Sequence, residues 1–109
     1  MAQPPKMSRY KKIGDVIYTS GVTGKPGDVS TQIRNCFEKL ISVLQEAGSS
    51  FDNVVKVTIY LSDLNYREQY LNEIWNEYFA EKPSPPSRTT VEAGLGPEVF
   101  VEIEMVASS

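Results

Sequence analysis

An apolar stripe at helical spacing, placed between runs of β-strand character, constrains the fold of this sequence more than any other feature. Its members recur every three or four positions: Ile33, Cys36, Phe37, Leu40, Val43, Leu44 and Ala47. The spacing predicts an amphipathic helix of about five turns, with Asp28 or Ser30 as its N-cap and Gly48 as its C-terminal stop. Because the stripe must be buried, neighbouring strands have to supply the surface that covers it.

Strand-like runs surround this helix and a second one. Runs rich in β-branched and apolar residues predict strands at 10–13, 15–21, 54–61, 87–93 and 101–105. An aromatic-rich stripe over 66–79 predicts the second helix, with Asn65 as its N-cap and Glu68 completing a capping-box-like pattern. The order (β)β-α-β-α-β-β indicates an α+β domain in which two helices cover one face of one sheet.

The length of the chain sets its domain organisation. At 109 residues it fits a single domain, 1–109, in which the Pro-rich segment 1–9 is expected to be a loosely ordered lead-in. A domain of this size buries roughly 65% of the surface that its unfolded chain exposes. It is too small to cover both faces of its sheet, so we expect the face away from the helices to meet another subunit.

Composition excludes several classes of function. The sequence has no histidine and one cysteine, Cys36, so it can build neither a His-dependent triad nor a zinc site, and we expect no metal or cofactor. A net charge of −3 argues against nucleic-acid binding, which usually uses a basic surface. No apolar run approaches the ~20 residues of a membrane span, and a lone cysteine fits a reducing compartment, so we expect a cytoplasmic protein without membrane partners.

Charged side chains on the two C-terminal strands indicate a polar site. Alternation places Arg88, Thr90 and Glu92 on one face of the first strand. Glu102 and Glu104 share a face of the second strand, opposite its apolar residues. The short connection between the strands favours a hairpin. These groups could process a small ligand, or an Arg–Glu pair could hold strands or subunits together, and the spacing alone leaves both alternatives open.

Several segments occur together in an order that is typical of one family. They are VIYTSG at 16–21, VVKVTIYLSDLN at 54–65, Asn72, PSR at 86–88 and VEIE at 101–104. The chain resembles, from about residue 7 onward, the YjgF/RidA family of imine and enamine deaminases, also called L-PSP endoribonucleases or translation inhibitors. The resemblance implies a chorismate-mutase-like fold with one mixed sheet, in a homotrimeric barrel with inward-facing sheets and clefts between subunits. It also implies that strand 54–61 lies between the last two strands, which would exclude the hairpin.

The resemblance further implies hydrolytic deamination of reactive 2-imino and enamine acids, of the 2-aminoacrylate type, to 2-keto acids and ammonia. In this role Arg88 binds the substrate carboxylate, as a planar guanidinium does bidentately, and Glu102 orients or activates the attacking water. Glu104 is expected to be a structural partner. The other substrate-contacting positions are Ser20, Gly21, Asn72 and Thr90. The expected partners are a small 2-imino or 2-keto carboxylate and further copies of the chain.

Two other functions stay open. One is a non-catalytic trimer that binds small carboxylates as a metabolic sensor or regulator. The other is an endoribonuclease or translation inhibitor, which the acidic charge and the lack of histidine disfavour.

Departures from the family pattern indicate a divergent paralogue with altered substrate preference. Met7 stands where the family has a tyrosine, and Thr90 replaces a cysteine two residues after the arginine. Val22 replaces a glutamine after Ser-Gly, and the loop to the first helix is several residues short. These departures leave Arg88 and Glu102 in place.

Overall fold

The computed structural model describes residues 3–109; Met1 and Ala2, part of the predicted lead-in, lie outside the described residues. The strands are β1 (Tyr10–Ile13), β2 (Val16–Thr19), β3 (Val22–Thr23), β4 (Val54–Leu61), β5 (Ser87–Glu92) and β6 (Val101–Ser108). The α-helices are α1 (Val29–Glu46) and α2 (Asn72–Phe79). A 3-10 helix at Phe51–Asn53 precedes β4, and a π-helix at Arg67–Leu71 runs directly into α2. None of the helices within residues 3–109 is long and apolar enough to cross a membrane.

The strands form one mixed sheet, and its order corrects the hairpin prediction. The order is β1-β2-β6-β4-β5, and β3 also pairs with β6. β4 runs parallel to β5 and antiparallel to β6. The predicted hairpin of the last two strands is therefore wrong, and the insertion of β4 between them, which the family resemblance implied, is confirmed. The physical reason is that the helical connection after β4 returns the chain to the end of the sheet at which β4 begins. β5 therefore pairs with β4 in the parallel direction.

Helix α1 follows the predicted stripe closely. The Asp28 side chain accepts a 2.9 Å hydrogen bond from the Thr31 N–H, so Asp28 is the N-cap, one of the two predicted candidates. The helix ends at Glu46, and Gly48 follows with a φ of +81°, a conformation that glycine adopts without steric cost. Local sequence signals thus set both ends of α1.

The core lies between the sheet and a single layer of helices. Val101, Ile103 and Met105 of β6 are buried against this layer. Phe37 of α1 joins the two helices, because its ring centroid lies 4.7 Å from that of Tyr78 and 5.9 Å from that of Phe79 in α2. Both helices therefore cover the same face, and the predicted α+β architecture is confirmed.

The opposite side of the sheet, which we call the open face, combines apolar and acidic side chains. Tyr18 is 48% exposed and Val91 is 40% exposed on this side. Glu102 is paired with Tyr60 across the β4–β6 ladder, and both side chains lie here between their buried neighbours. Among the described residues both helices pack on the other face, and contact of this face with another subunit stays a prediction.

The second helix begins differently from the prediction. Helical backbone begins at Tyr66, and the Gln69 N–H bonds to the Asn65 carbonyl at 3.2 Å, so Asn65 occupies the predicted N-cap position, but no side-chain capping bond is formed there. Instead, the Asp63 side chain accepts a 2.9 Å hydrogen bond from the Asn65 N–H and forms the turn. The Asn72 N–H then bonds to the Arg67 carbonyl, five residues earlier. This wider turn changes which side chains are stacked above one another on this helix.

A buried glutamine joins two loops at one edge of the helix layer. Gln32 of α1 is 1% exposed. Its Nε2 donates to the carbonyls of Gly27 and Glu98 at 2.9 and 2.8 Å, and its Oε1 accepts from the Phe100 N–H at 3.0 Å. All three bonds go to backbone groups, so one side chain positions the loops before α1 and before β6.

The lead-in is attached to the domain at its end. Residues 3–8 form no regular secondary structure. Ser8 and Arg9 nevertheless contact the domain: the Ser20 hydroxyl donates to the Ser8 carbonyl at 2.6 Å, and the Arg9 Nη1 lies 3.0 Å from Glu46 Oε2.

Candidate functional site

Arg88 lies on edge strand β5 and faces the helix layer. It is paired with Val57 of β4, whose side chain is fully buried on that side. The Arg88 Nη2 donates to Asn72 Oδ1 at 2.8 Å, and its guanidinium carbon lies 5.1 Å from the centroid of the Trp75 ring. The ring face and the amide hold the guanidinium in one orientation. The predicted site residues Arg88 and Asn72 are therefore in contact.

The Arg88 guanidinium is half-buried without a carboxylate beside it. Within residues 3–109, no Asp or Glu oxygen lies within 4.0 Å of its nitrogens. Burial, and secondly the positive charge of Arg67, lower the pKa of Arg88, but an arginine remains charged at neutral pH. A partly desolvated cation that lacks a counter-ion attracts an anion, and its fork of donors fits a carboxylate best.

Thr90 follows Arg88 on the same face of β5. Its Oγ1 is buried and has no hydrogen-bond partner among the described residues. Leaving a buried hydroxyl unpaired costs about 1–3 kcal/mol, so such atoms are rare outside functional sites. Thr90 is thus available to contact a ligand that reaches Arg88.

Glu102, by contrast, occupies a position of β6 that faces the other side of the sheet. The carboxylate of Glu102 stands directly over Gly21, where an added Cβ would lie 2.5 Å from Glu102 Oε2. Gly21 therefore allows the carboxylate its position, because any side chain there would displace it. Ser20 precedes it, with its hydroxyl proton donated to the Ser8 carbonyl and its N–H to the Arg9 carbonyl at 2.9 Å.

The two glutamates of β6 differ in their hydrogen bonds. Glu104 Oε1 accepts a 2.6 Å bond from the Tyr60 hydroxyl, which raises the pKa of Tyr60. Glu102 makes no side-chain hydrogen bond within residues 3–109. Its carboxylate is therefore available to bind a water molecule, whereas the Glu104 carboxylate is engaged by Tyr60.

A cavity of about 460 Å³ opens beside Ser20 and Gly21. It combines cationic, hydroxyl and apolar side chains: its lining is Met7, Ser8, Arg9, Ser20, Gly21, Val22, Thr23, Lys39 and Val43. Lys39 donates to the Thr23 carbonyl at 2.6 Å at its rim. Met7, the residue at the family's tyrosine position, thus lines the same cavity as Ser20 and Gly21.

The two groups of site residues do not meet within one chain. Arg88 is paired with the buried-face residue Val57, whereas Glu102 is paired with Tyr60 on the open face. The sheet itself separates the guanidinium from the Glu102 carboxylate. The sequence pattern gives Trp75 only as part of the aromatic-rich stripe of the second helix and does not single out Arg67. The register between strands, which decides these faces, has no local signal in the sequence.

One mixed sheet covered on one side by two helices defines the class as an α+β protein, with Arg88 half-buried on the edge strand β5. The model of the Endoribonuclease L-PSP family matches residues 2–109. The chain belongs to this family, which is also called YjgF/RidA, and the recognition made from the sequence is confirmed.

Relatives and solved structures agree with this assignment. A RutC family protein of Pyrococcus abyssi is 39% identical over 109 residues, which cover 92% of this chain and 84% of that protein. The Escherichia coli protein TdcF, provisionally named a reactive intermediate deaminase, is 33% identical over 104 residues, covering 87% and 80%. The crystal structure of the E. coli YjgF gene product matches with a TM-score of 0.85 at 28% identity, covering 94% of this chain and 87% of that one. The chorismate-mutase-like fold is thereby confirmed.

Proposed function

We propose that this protein hydrolyses reactive 2-imino and enamine acids of the 2-aminoacrylate type to 2-keto acids and ammonia. The observation that carries the proposal is the state of Arg88: half-buried, oriented by Asn72 and Trp75, and without a carboxylate partner within residues 3–109. Such a guanidinium binds the carboxylate that every 2-imino acid carries next to its reactive carbon. The relative named as a reactive intermediate deaminase supports the same class of reaction.

The chemistry needs little beyond positioning, because imines hydrolyse readily. An enamine first gains a proton at C3 and becomes the imine. Glu102 then accepts a proton from a water molecule as the water oxygen bonds to C2 of the protonated imine, which gives a carbinolamine. The proton passes from Glu102 to the nitrogen. Ammonia then leaves as the carbonyl forms, the hydroxyl gives its proton to Glu102, and Glu102 releases it to the ammonia or to solvent. The residues supply a fixed substrate, a placed water and one proton acceptor.

This mechanism requires two copies of the chain. Arg88 and Glu102 lie on opposite faces of one sheet, so they can act on one substrate only if different copies supply them. The exposed Tyr18, Val16 and Val91 give the open face an apolar character that a second copy would bury. We therefore place the active sites in clefts between subunits of a homotrimer, as the family resemblance implies.

The direct test follows the decay of 2-aminoacrylate generated by a serine or threonine dehydratase, with and without the purified protein. Arg88→Ala should reduce kcat/KM about a hundredfold or more, because the carboxylate loses a charge-assisted bidentate contact. Arg34→Ala is the matched control, since Arg34 forms an exposed ion pair with Glu77 on the helix layer. Equal activity of Arg88→Ala and wild type would refute the proposal.

The same samples separate the alternatives. A non-catalytic carboxylate sensor predicts that 2-keto acids raise the melting temperature through Arg88 while the decay of 2-aminoacrylate is unchanged. An endoribonuclease, the activity that the family description names, predicts salt-dependent cleavage of RNA that Arg88→Ala or Glu102→Ala abolishes.

A further inference from the structure

The direction of the second helix sets which of its residues face the Arg88 site. β5 is parallel to β4, and the chain reverses direction after β4, so the π-helix and α2 run antiparallel to β5. Two contacts fix the alignment. The Leu64 N–H donates to Glu92 Oε1 at 2.8 Å, and Asn72 Oδ1 accepts from Arg88. The segment between Leu64 and Asn72 therefore lies opposite the segment between Glu92 and Arg88.

Thr90 is the middle residue of the strand segment, and Arg67 lies one position before the middle of the helical segment. Asn72 bonds through its N–H to the Arg67 carbonyl, so the two residues are separated by one π-helical turn and lie on the same side of the helix. The side of the helix that holds Asn72 against Arg88 is thus also the side of Arg67. In agreement, the charge of Arg67 contributes to the lowered pKa of Arg88. Single π-helical turns inside longer helices occur frequently at functional sites.

Arg67 also lacks a carboxylate partner. It is half-buried, and no Asp or Glu oxygen of residues 3–109 lies within 4.0 Å of it. Two carboxylates are on neighbouring positions, Glu68 and Glu92, and Glu92 is engaged by the Leu64 N–H. Arg67 and Arg88, both without an ion pair among the described residues, therefore flank one side of the helix. Thr90, whose buried Oγ1 has no hydrogen-bond partner in residues 3–109, is on the opposed strand segment.

We propose that Arg67 determines substrate specificity and that the preferred substrate is a 2-imino dicarboxylate. This inference rests on the proposed function, in which Arg88 binds the carboxylate beside the imine. Arg67 and Arg88 repel each other, and a substrate with one carboxylate would neutralise only one of them. A substrate with a second carboxylate on its side chain would neutralise both. Arg67 binds that second carboxylate, and the Thr90 hydroxyl donates to the same ligand. The replacement of the family's cysteine by threonine at position 90 adds a stronger donor at this point.

The test compares a dicarboxylate product analogue, 2-oxoglutarate, with the monocarboxylate 2-oxobutanoate, using calorimetry on the full chain. Wild type should bind 2-oxoglutarate at least about tenfold more tightly, the usual effect of one charge-assisted contact. Arg67→Gln should bring the two affinities to within about twofold, by weakening 2-oxoglutarate and leaving 2-oxobutanoate unchanged. Arg67→Lys should restore part of the preference. Lys12→Gln, which removes the same charge from β1, should leave the preference as in wild type.

Each outcome decides the inference. If wild type binds 2-oxoglutarate and 2-oxobutanoate with equal affinity, the inference is wrong. This result needs no variant, so it does not depend on whether Arg67→Gln folds. A preference that Arg67→Gln preserves, or that Lys12→Gln removes, overturns it as well. If both ligands bind wild type and Arg88→Ala abolishes both, but no dicarboxylate preference exists, the inference fails and the proposed function stands. If neither ligand depends on Arg88, the proposed function fails with it.

Discussion

Replacing Gly21 with alanine tests whether the position of the Glu102 carboxylate matters. The new Cβ would lie 2.5 Å from Glu102 Oε2 and 3.1 Å from Cγ and Cδ, whereas ordinary contact begins at 3.4 Å. The obstacle is the end of a flexible side chain, so the carboxylate should move by about 1 Å and the backbone should not. We expect the free energy of unfolding to fall by less than about 1 kcal/mol.

The effect on turnover should be much larger than the effect on stability. A carboxylate displaced by about 1 Å no longer holds the attacking water against the imine, and misplacement on this scale can reduce rates about a hundredfold. Binding of 2-keto acids should be weakened much less than turnover, because Arg88, which binds their carboxylate in the proposed site, comes from another copy of the chain and is not altered. The assay is the decay of 2-aminoacrylate, with urea unfolding and calorimetric binding measured on the same preparations.

Two other glycines provide controls. A Cβ at Gly94 meets nothing within 4 Å, so Gly94→Ala should resemble wild type in stability and activity. A Cβ at Gly24 would lie 2.0 Å from the backbone oxygen of Gln32, which cannot rotate away, so Gly24→Ala should lose more than about 3 kcal/mol of stability. Wild-type turnover in Gly21→Ala would refute the role of Glu102. The role of Glu102 would also be refuted if Gly21→Ala lost turnover only in proportion to its loss of folded protein.

Three further predictions follow from the surroundings of single side chains. Gln32→Leu removes the partner of three backbone groups and should cost about 3 kcal/mol in urea unfolding; a cost near zero would contradict the joining role of Gln32. Burial raises the pKa of Cys36 to about 12, so the native thiol should resist a disulfide reagent at pH 8 and react at once in urea. Burial, and secondly the hydrogen bond to Glu38, raise the pKa of Tyr78 to about 12. Because the unfolded tyrosine ionises near pH ~10, stability should fall between about pH 10 and 12, and Tyr78→Phe should make that decline shallower.

Elements that depend on local signals could be predicted from the sequence. The stripe of α1, its N-cap Asp28 and the stop at Gly48 all act within a few residues, and the prediction agrees with the structure there. β4 could be predicted to the residue, 54–61, since an uninterrupted alternating run lies between a polar turn and a helix signal. The two-residue strand β3 was missed, because so short a strand exists only through its pairing with β6.

Features that depend on long-range pairing could not be predicted in this way. Alternation shows which residues share a face within β5 and within β6. Whether a face of β5 lies on the same side of the sheet as a face of β6 depends on how each strand pairs with β4. A shift of one residue would have brought Arg88 to the side of Glu102. The π-helix had no signal either: the aromatic-rich stripe predicts one continuous helix over 66–79, whereas the structure has a π-helical segment at Arg67–Leu71. The family resemblance supplied the position of β4 between the last two strands and singled out Asn72 as a site residue, which composition and spacing did not.

Separation of Arg88 and Glu102 by the sheet leads to a test of where the active site lies. If each site takes Arg88 from one copy and Glu102 from a neighbour, Arg88→Ala and Glu102→Gln chains should complement each other. In mixed oligomers, a site is intact when its arginine comes from a Glu102→Gln chain and its glutamate from an Arg88→Ala chain. Random association therefore restores about a quarter of wild-type activity from two inactive proteins.

The control for this experiment mixes Arg88→Ala with the double variant Arg88→Ala/Glu102→Gln, which can form no intact site and should stay inactive. Exchange of subunits is verified with one protein carrying an affinity tag. If exchange is complete and the complementing mixture also stays inactive, no site combines the two residues from different copies. Since the sheet prevents their meeting within one copy, that result would remove Glu102 from the mechanism. Recovery of activity would instead establish that the open face of one chain and the β5 edge of another form the catalytic cleft.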